Sequence, residues 1–203
     1  MDKIEVYQVQ LAKDRKSFYI EYTNCQTGLT GNHSFGRLDI FSTKLVPYAQ
    51  LGKGYNEVLI SPNETHLAVR QSFGNKPWEM YVKENNPTKN DLVQITHSTS
   101  DAFESYRWID PQVISFKGSD GMDVFARIYE PEAANKNGAA VLFVHGAGYL
   151  QNAHHYWSNY YREYMFHHLL REQGYTVLDV DYRASEGYGR DYRTAIYRHM
   201  GGK

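Results

Sequence analysis

A four-residue segment of mostly small side chains, His145-Gly146-Ala147-Gly148, follows the apolar run "AAVLFV". Small residues let a backbone approach a developing negative charge, so the amide groups of such a loop can donate hydrogen bonds to an oxyanion. Glycine is also favoured in a tight turn between a strand and a helix that carries no chemistry. The segment therefore indicates the anion-stabilising half of a hydrolase site, with an ordinary turn as the alternative.

A hydrolase site of this kind also needs a nucleophile, which is commonly a serine in the pattern G-x-S-x-G. Four serines are followed by glycine two residues later: Ser34, Ser72, Ser119 and Ser185. None of them has glycine two residues before it, so the pattern is incomplete at each. Ser185 fits best because it follows the apolar segment "YTVLDVDYR", but Glu186 beside it is not a general base. We predict that none of the four is the nucleophile.

Two pairs of adjacent histidines, His154-His155 and His167-His168, raise the question of a metal site. A helix between the pairs would separate them by about 20 Å, which is too far for one ion. We therefore predict no metal site, and we expect the exposed members of the pairs to lie at a surface or an interface. Cys25 is the only cysteine, so neither an intrachain disulfide nor an all-cysteine metal site can form.

Tyrosine is abundant, with 18 residues, and four of them surround one predicted helix: Tyr156, Tyr160, Tyr161 and Tyr164. A phenolic side chain combines apolar area with a hydrogen-bonding group, so this set could line a ligand pocket. The same spacing is typical of a helix that packs partly in a core and partly at a domain interface. Both interpretations stay open at this point.

Composition and charge exclude several classes of protein. The chain has 203 residues, 41% of them hydrophobic, and 22 Lys and Arg against 23 Asp and Glu give a formal net charge of -1. This is enough apolar material for one or two domains, and it leaves no overall field to attract nucleic acid. The residues after Met1 show no signal-peptide pattern, and no apolar run approaches the roughly 18 residues of a spanning helix. We predict no nucleic-acid partner and no cofactor.

The first hundred residues alternate apolar with polar side chains in short runs such as "VYQVQL", "SFYIEY" and "WEMYV", separated by turn clusters such as "TNCQTGLTGN". This pattern predicts antiparallel β-strands. The segments "AKDRKSFYI" and "SPNETHLAV", at residues 12–20 and 61–69, share a turn followed by a strand start. Repeats at about 40 to 50 residues are typical of β-propeller blades, although turn and strand also recur by chance in antiparallel domains.

From Pro111 onward the pattern changes to one that predicts an α/β sheet. A hairpin is expected around Ser119-Asp120-Gly121, followed by "AAVLFVHG" as a strand buried on both faces. A helix from Trp157 to Gln173, ended by Gly174, leads to the strand "YTVLDVDYR". A second helix is expected from Tyr188 or Gly189 to about Gly201-Gly202.

An open parallel sheet seldom ends after two strands, because each central strand needs neighbours for its backbone groups. Two blades likewise cannot close a propeller, which needs about four to eight. We therefore expect the chain to be a piece that begins inside a propeller and stops early. The free edge of the "YTVLDVDYR" strand is expected to make the isolated chain aggregate.

Taken in order, these segments resemble the prolyl oligopeptidase family of serine peptidases, in particular its dipeptidyl-peptidase IV-like branch. The resemblance covers most of the chain and is strongest from Pro111 to Lys203, in "VISFKGSDGMDVFARIYEP", "AAVLFVHGAGYLQN" and "VLDVDYRASEGYGRDYRTAIYRHMGG". It implies β-propeller blades followed by a partial α/β-hydrolase fold. Residues 1–105 would be the C-terminal part of the propeller, about two blades, and residues 106–203 the N-terminal half of the hydrolase domain.

The resemblance also implies a function. The oxyanion loop would be His145, Gly146, Ala147 and Gly148, with His145 where several relatives have a tyrosine. No catalytic residue would lie in this chain, because the family's Ser, Asp and His would follow beyond Lys203, so the chain alone should be inactive. The complete protein would hydrolyse oligopeptides, would form a homodimer through the hydrolase domain, and would be periplasmic or secreted. The alternatives are a binding module without catalytic activity and an esterase.

Overall fold

The computed structural model describes residues 4–24 and 30–201 of the chain. In chain order its elements are β1 (Ile4–Leu11), β2 (Ser17–Asn24), β3 (His33–Asp39), β4 (Leu45–Pro47), β5 (Tyr55–Ile60), β6 (His66–Phe73), β7 (Lys76–Glu84), β8 (Val93–Gln94), α1 (Asp101–Ser105), β9 (Gln112–Lys117), β10 (Asp123–Tyr129), β11 (Ala140–Val144), α2 (Tyr161–Glu172), β12 (Thr176–Asp181) and α3 (Arg190–Arg193). Three 3-10 turns lie in these described ranges, at Ala49–Leu51, Ala133–Asn135 and Thr194–Ile196. Cys25, the middle of the segment "TNCQTGLTGN", Gly202 and Lys203 lie outside the described residues.

Within the described residues, the first sheet contains β1 to β8. The strand order is β1-β2-β3-β5-β6-β7-β8, and the short strand β4 also pairs with β3. Neighbouring strands of this sheet run antiparallel, except that β3 and β5 pair in parallel at His33 and Tyr55. Alternation places Leu67 and Val69 of β6 inside, both fully buried. They belong to a core made of Ala12, Tyr19, Phe35, Tyr48, Leu51, Val58, Leu67, Val69 and Tyr81.

The second sheet has the strand order β11-β12-β10-β9 within the described part of the chain. β9 and β10 form the hairpin predicted at Ser119-Asp120-Gly121, and Gly121 has the positive φ, 78°, that such a turn favours. β10 pairs antiparallel with β12, and β11 pairs parallel with β12. Since α2 joins the two parallel strands, the predicted strand-helix-strand unit is confirmed.

Helix α2 closes the core on one face of this sheet. It buries Tyr164, His167 and His168, which are three and four residues apart and therefore lie on one side of the helix. Tyr164 packs with Tyr129 of β10 and Val177 of β12 in a small core cluster. The helix stops at Gly174 as predicted, where φ is 89°.

Both predicted helices are shorter in the structure. α2 begins at Tyr161 rather than Trp157, because the preceding residues form a loop whose Trp157 N–H donates to Ser72 Oγ at 3.3 Å. The second helix was expected to continue to about residue 200, but α3 ends at Arg193 and a 3-10 turn follows. Within the described ranges no helix has both the length and the apolar character needed to cross a membrane.

The predicted fold class, β-propeller blades followed by a partial α/β-hydrolase, is wrong. The described residues form two sheets with few helices and no closed propeller, and the two repeated segments lie in one continuous sheet because β3 pairs with β5. The second sheet is mixed, with antiparallel pairs on one side of β12. β11 is an edge strand whose Leu142 and Val144 are 65% and 56% exposed, so it is not buried on both faces.

Candidate functional site

The loop that follows β11 is buried at its first residue and exposed over the next three. His145 is 4% exposed, whereas Gly146, Ala147 and Gly148 lie at the surface. Gly148 has φ 132°, in the region that favours glycine, so the chain turns sharply here. Among the described residues, the amide groups of Gly146, Ala147 and Gly148 donate no hydrogen bond.

The imidazole of His145 lies under this loop and contacts three polar groups. Its Nδ1 is 2.7 Å from the carbonyl oxygen of Gly146. Its Nε2 is 2.9 Å from Ser185 Oγ and 3.2 Å from Asp181 Oδ1. The ring also stacks on Tyr182, with 4.8 Å between centroids, and the Tyr182 hydroxyl donates to the same Gly146 carbonyl at 2.9 Å.

These contacts favour the protonated form of His145. Burial by itself lowers the pKa of this imidazole, but the hydrogen bonds to Asp181 and to the Gly146 carbonyl, with the charges of Asp181 and Asp179, raise it above its usual 6.5. Nδ1–H then donates to the carbonyl, and Nε2–H is shared between the carboxylate and the serine hydroxyl. The surroundings of His145 therefore stabilise its protonated form.

A larger buried cluster surrounds the His145 ring. Asp181 accepts backbone N–H groups from Asn152 at 2.8 Å and Ala153 at 2.9 Å, and it also accepts the Tyr188 hydroxyl. Asp179 accepts Arg127 at 2.7 Å and the Asn152 side-chain amide at 2.8 Å. These contacts join β10, β12 and both loops that leave the parallel strands.

The ionisable groups of this cluster are paired. Burial lowers the pKa of the Arg127 guanidinium, but Tyr129 and Asp179 keep it above its usual value, and Arg127 and His145 face the carboxyl groups of Asp179 and Asp181. Buried charges are tolerated when they are paired and hydrogen-bonded in this way. The cluster therefore fixes the base of the loop while the loop itself stays open to solvent.

Ser185, His145 and Asp181 have the residue types of a catalytic triad but not its geometry. In a triad the serine and the carboxylate contact opposite imidazole nitrogens, whereas here both contact Nε2. A serine that accepts a hydrogen bond from an imidazolium has no base to take its proton. Ser185 is also fully buried, so we do not assign it as a nucleophile.

The other candidate serines lie apart from this cluster. Ser34 donates to the Gly52 carbonyl at 3.1 Å, Ser72 accepts the Trp157 N–H, and Ser119 lies in the exposed hairpin turn. None of the three contacts a histidine within residues 4–24 and 30–201.

The paired histidines are mostly internal. His154, His167 and His168 are no more than 3% exposed, so the expectation of a surface or interface position, which concerned exposed members only, does not apply to them. Burial lowers the pKa of all three, and that of His167 to about 4, because aromatic rings surround them. Elsewhere in the described chain too, no group of three or more His, Cys, Asp or Glu side chains could hold a metal ion.

The tyrosines divide between the core and the surface. Tyr156 and Tyr164 are buried, Tyr160 is half-buried and Tyr161 is 43% exposed. The Tyr156 ring stacks on His154 and meets Tyr55 of the first sheet at 4.9 Å. Tyr156 and Tyr164 therefore support the interpretation of core and interface packing.

Sequence reasoning missed the residues that hold the loop. Arg127 lies within the apolar strand "VFARIY", and Asp179 and Asp181 alternate with apolar residues in "VLDVD". A charged side chain at the inward positions of a strand is costly unless it is paired, and this was the available signal. A cavity of about 470 Å³ lies beside the site and is lined by Tyr182, Val180, Val124, Ile196 and the turn at Ser119–Asp120.

Comparison with known proteins gives a distant relative but no family. No family model matches the chain. The chain is 26% identical over 196 residues to a protein of Bacillus subtilis (strain 168) called uncharacterized peptidase YuxL, and the match covers 94% of this chain. The chain spans about 27% of the length of that relative. The relative's name identifies a peptidase and does not assign it to the prolyl oligopeptidase family.

Proposed function

We propose that this chain contributes an anion-stabilising loop to a serine-type peptidase that hydrolyses oligopeptides through an acyl-enzyme. The similarity to a protein named as a peptidase, over almost the whole chain, supports a peptidase function. The observation that carries the proposal is the exposed segment Gly146–Gly148, whose amide groups have no acceptor among the described residues although a buried cluster fixes its base. Donors held in place before the reaction are what a tetrahedral oxyanion requires.

In the proposed reaction a serine attacks the peptide carbonyl carbon, and the carbonyl oxygen becomes negatively charged. The amide groups of the loop donate hydrogen bonds to this oxygen. His145 is not proposed as the base for the nucleophile, because its Nε2 contacts both Ser185 and Asp181 and its Nδ1 contacts the Gly146 carbonyl. The serine, with its Asp and His, is proposed to lie beyond Lys203, and the boundary between the two parts of the chain is proposed at residues 105 and 106.

The substrate is proposed to be an oligopeptide, and a homodimer remains part of the proposal. No cofactor is proposed, because acyl transfer by a serine needs none. The chain itself is proposed to be inactive, since Ser185, which contacts His145 Nε2, is buried and shares that nitrogen with Asp181.

Two measurements test this function. The first reads the gene past Lys203, where we expect a G-x-S-x-G pattern within about 20 to 40 residues, the length of one further helix and strand. The second incubates residues 1–203 and the complete open reading frame with a fluorophosphonate probe. We expect labelling of the complete product alone, and stoichiometric labelling of residues 1–203 would contradict the proposal. A frame without the pattern would favour a binding module instead.

A further inference from the structure

The carbonyl oxygen of Gly146 accepts two hydrogen bonds, from His145 Nδ1 at 2.7 Å and from the Tyr182 hydroxyl at 2.9 Å. The described backbone contains no cis peptide bond. A trans peptide is planar, and its carbonyl and N–H point in opposite directions. Because the carbonyl of Gly146 points down to the two rings, the N–H of Ala147 points away from them.

The outward side of this peptide is open. Ala147 is exposed, and its N–H finds no acceptor in the described ranges. A side chain built at Gly146 would meet nothing within 4 Å, so a ligand can approach the backbone here. The peptide before Gly148 has no comparable pair of bonds on its carbonyl, which leaves the Ala147 amide as the donor whose direction is fixed.

Tyr182 is itself held firmly. It follows Asp181, whose carboxylate is fixed by the backbone of Asn152 and Ala153, and its ring stacks on His145. The bond from His145 joins adjacent residues, and the ring that makes it is held by Asp181 and Ser185. The bond from Tyr182 comes from the residue that directly follows β12 and is a second tie between the loop and the sheet.

We infer that Tyr182 is a positioning residue that aims the Ala147 amide, through the Gly146 carbonyl, at the substrate oxygen. The catalytic role of Tyr182 rests on the proposed function, but its effect on the orientation of the Ala147 amide can be tested separately. Without the hydroxyl the Gly146 carbonyl keeps one bond, from His145, and the peptide plane is less tightly constrained.

The test of geometry compares Tyr182→Phe with Tyr149→Phe by amide NMR of residues 1–203. Tyr149 is a matched control, because it lies in the same loop, is 48% exposed and makes no hydroxyl hydrogen bond among the described residues. We expect Tyr182→Phe to shift and broaden the Ala147 amide signal, and Tyr149→Phe to leave it in place. An unchanged Ala147 signal in folded Tyr182→Phe would overturn the inference.

A measurement on the unmodified chain covers the case in which Tyr182→Phe does not fold. After subtraction of the random-coil value for each residue type, the ¹³C shift of the Gly146 carbonyl should lie downfield of that of Ala147, because the Gly146 carbonyl accepts two hydrogen bonds. If the Gly146 carbonyl showed no downfield shift relative to Ala147 in this comparison, the inference would also be overturned.

The test of purpose uses the complete open reading frame and a peptide amide substrate. We expect Tyr182→Phe to lower kcat about 10-fold, less than loss of a direct oxyanion donor, while KM changes less than about twofold. Tyr149→Phe should change neither. If the unmodified protein hydrolyses no peptide, the proposed function fails while the NMR result stands; if it does and Tyr182→Phe keeps full kcat, the positioning role fails.

Discussion

The imidazole of His145 shows how surroundings decide the chemistry of a side chain. A neutral histidine between a serine and a carboxylate can act as a base, but His145 meets both on one nitrogen and donates its other proton to a carbonyl. It therefore pairs with Asp181 and holds the Gly146 carbonyl. The same three residue types support catalysis only when the serine and the acid lie on opposite nitrogens.

The stability of the protein should depend on pH through His145. Its pKa is raised above 6.5 in the folded state, so its contribution is fully present below pH 6.5 and is lost as pH rises through the folded pKa. Asp179, Asp181, Ser185 and Tyr182 face the ring. Urea unfolding at pH 6 and pH 9 should show a smaller loss of stability for His145→Gln than for the unmodified chain.

The control for this experiment is His199→Gln, since His199 is exposed and its side chain donates no hydrogen bond in the described ranges. Other groups that titrate are common to all three proteins and cancel in the comparison. A His145→Gln chain with the pH dependence of the unmodified chain would contradict the raised pKa of His145 in the folded state.

Asp181 should be the most sensitive single residue of the cluster. Asp181→Asn removes a buried charge and leaves His145 facing an amide, which should cost about 3–5 kcal/mol in the free energy of unfolding. Asp191→Asn is the control, because Asp191 is 86% exposed and should change stability little. Chemical denaturation measures both, and equal effects would argue against the pairing of ionisable groups in this cluster.

At the scale of elements, short-range signals predicted local structure well. The Asp120-Gly121 turn and the stop at Gly174 act within a few residues, and both are found. The pairing of β3 with β5 depends on contacts between distant segments, and alternation alone does not say which strands are neighbours. An apolar run likewise does not distinguish a central strand from an edge strand such as β11.

The candidate site was predictable to a similar extent. The small residues of Gly146–Gly148 marked the exposed loop, and the absence of a complete serine pattern agreed with the buried position of Ser185. Arg127 and Asp179 come together across two strands that are far apart in sequence. No local pattern reports such a contact, so the cluster emerged from the structure.

Gly174 should tolerate no side chain. Its φ is 89°, and a Cβ there would overlap the carbonyl oxygen of Asn135, so Gly174→Ala combines backbone strain with a clash. We expect a loss of about 3 kcal/mol or more in the free energy of unfolding. Gly138→Ala is the control: φ is 81° but nothing lies within 4 Å, so the loss should be about 1 kcal/mol.

Thermal or urea unfolding of both variants separates the destabilisation caused by backbone strain from that caused by the clash. If Gly174→Ala were no more destabilising than Gly138→Ala, the close packing of the end of α2 against Asn135 would be wrong.

At the scale of the whole molecule, the two sheets are joined by polar contacts. Glu5 of β1 accepts the N–H groups of Gly187 and Gly189, each at 3.1 Å, and pairs with Arg193 at 2.7 Å. His155 N–H donates to the Gly31 carbonyl at 2.8 Å. The sheets should therefore unfold together, in one transition.

Glu186 lies at this junction and should weaken it at high pH. Burial, with the charges of Glu5 and Asp181, raises the pKa of Glu186 from 4.5 to about 7, although Arg193 opposes the shift. The neutral form therefore stabilises the fold, and this stability is lost as pH rises from 4.5 through 7. Glu186→Gln should be more stable than the unmodified chain at pH 8, by about 1–2 kcal/mol after allowance for solvent screening.

The same comparison at pH 4 should show little difference, because Glu186 is then neutral in both states. Glu130→Gln, at an exposed position outside the junction, serves as the control. A Glu186→Gln variant that is no more stable at pH 8 would contradict the repulsion between Glu186 and Glu5.

The isolated chain should aggregate through β11. The expectation that "YTVLDVDYR" supplies the free edge is wrong, since β12 lies between β11 and β10. The edge strands of the second sheet are β11 and β9, and Leu142 of β11 is 65% exposed. Leu142→Lys should raise the monomer fraction in light scattering, because a charged edge discourages strand pairing. Leu169→Lys on α2 is the control, and an equal gain there would point to general hydrophobicity instead.

The junction of β3 and β5 has a consequence for evolution. Most strand pairs here rest on backbone groups that nearly every residue provides, so their side chains are free to diverge. Side-chain hydrogen bonds stabilise the region around the pairing of His33 with Tyr55. Glu21 accepts the Val58 N–H at 2.8 Å, and the Asn56 amide donates to the His33 carbonyl at 2.7 Å. Homologous sequences should therefore retain an acceptor at position 21 and a donor at position 56, and a lineage that lost both could split the first sheet in two.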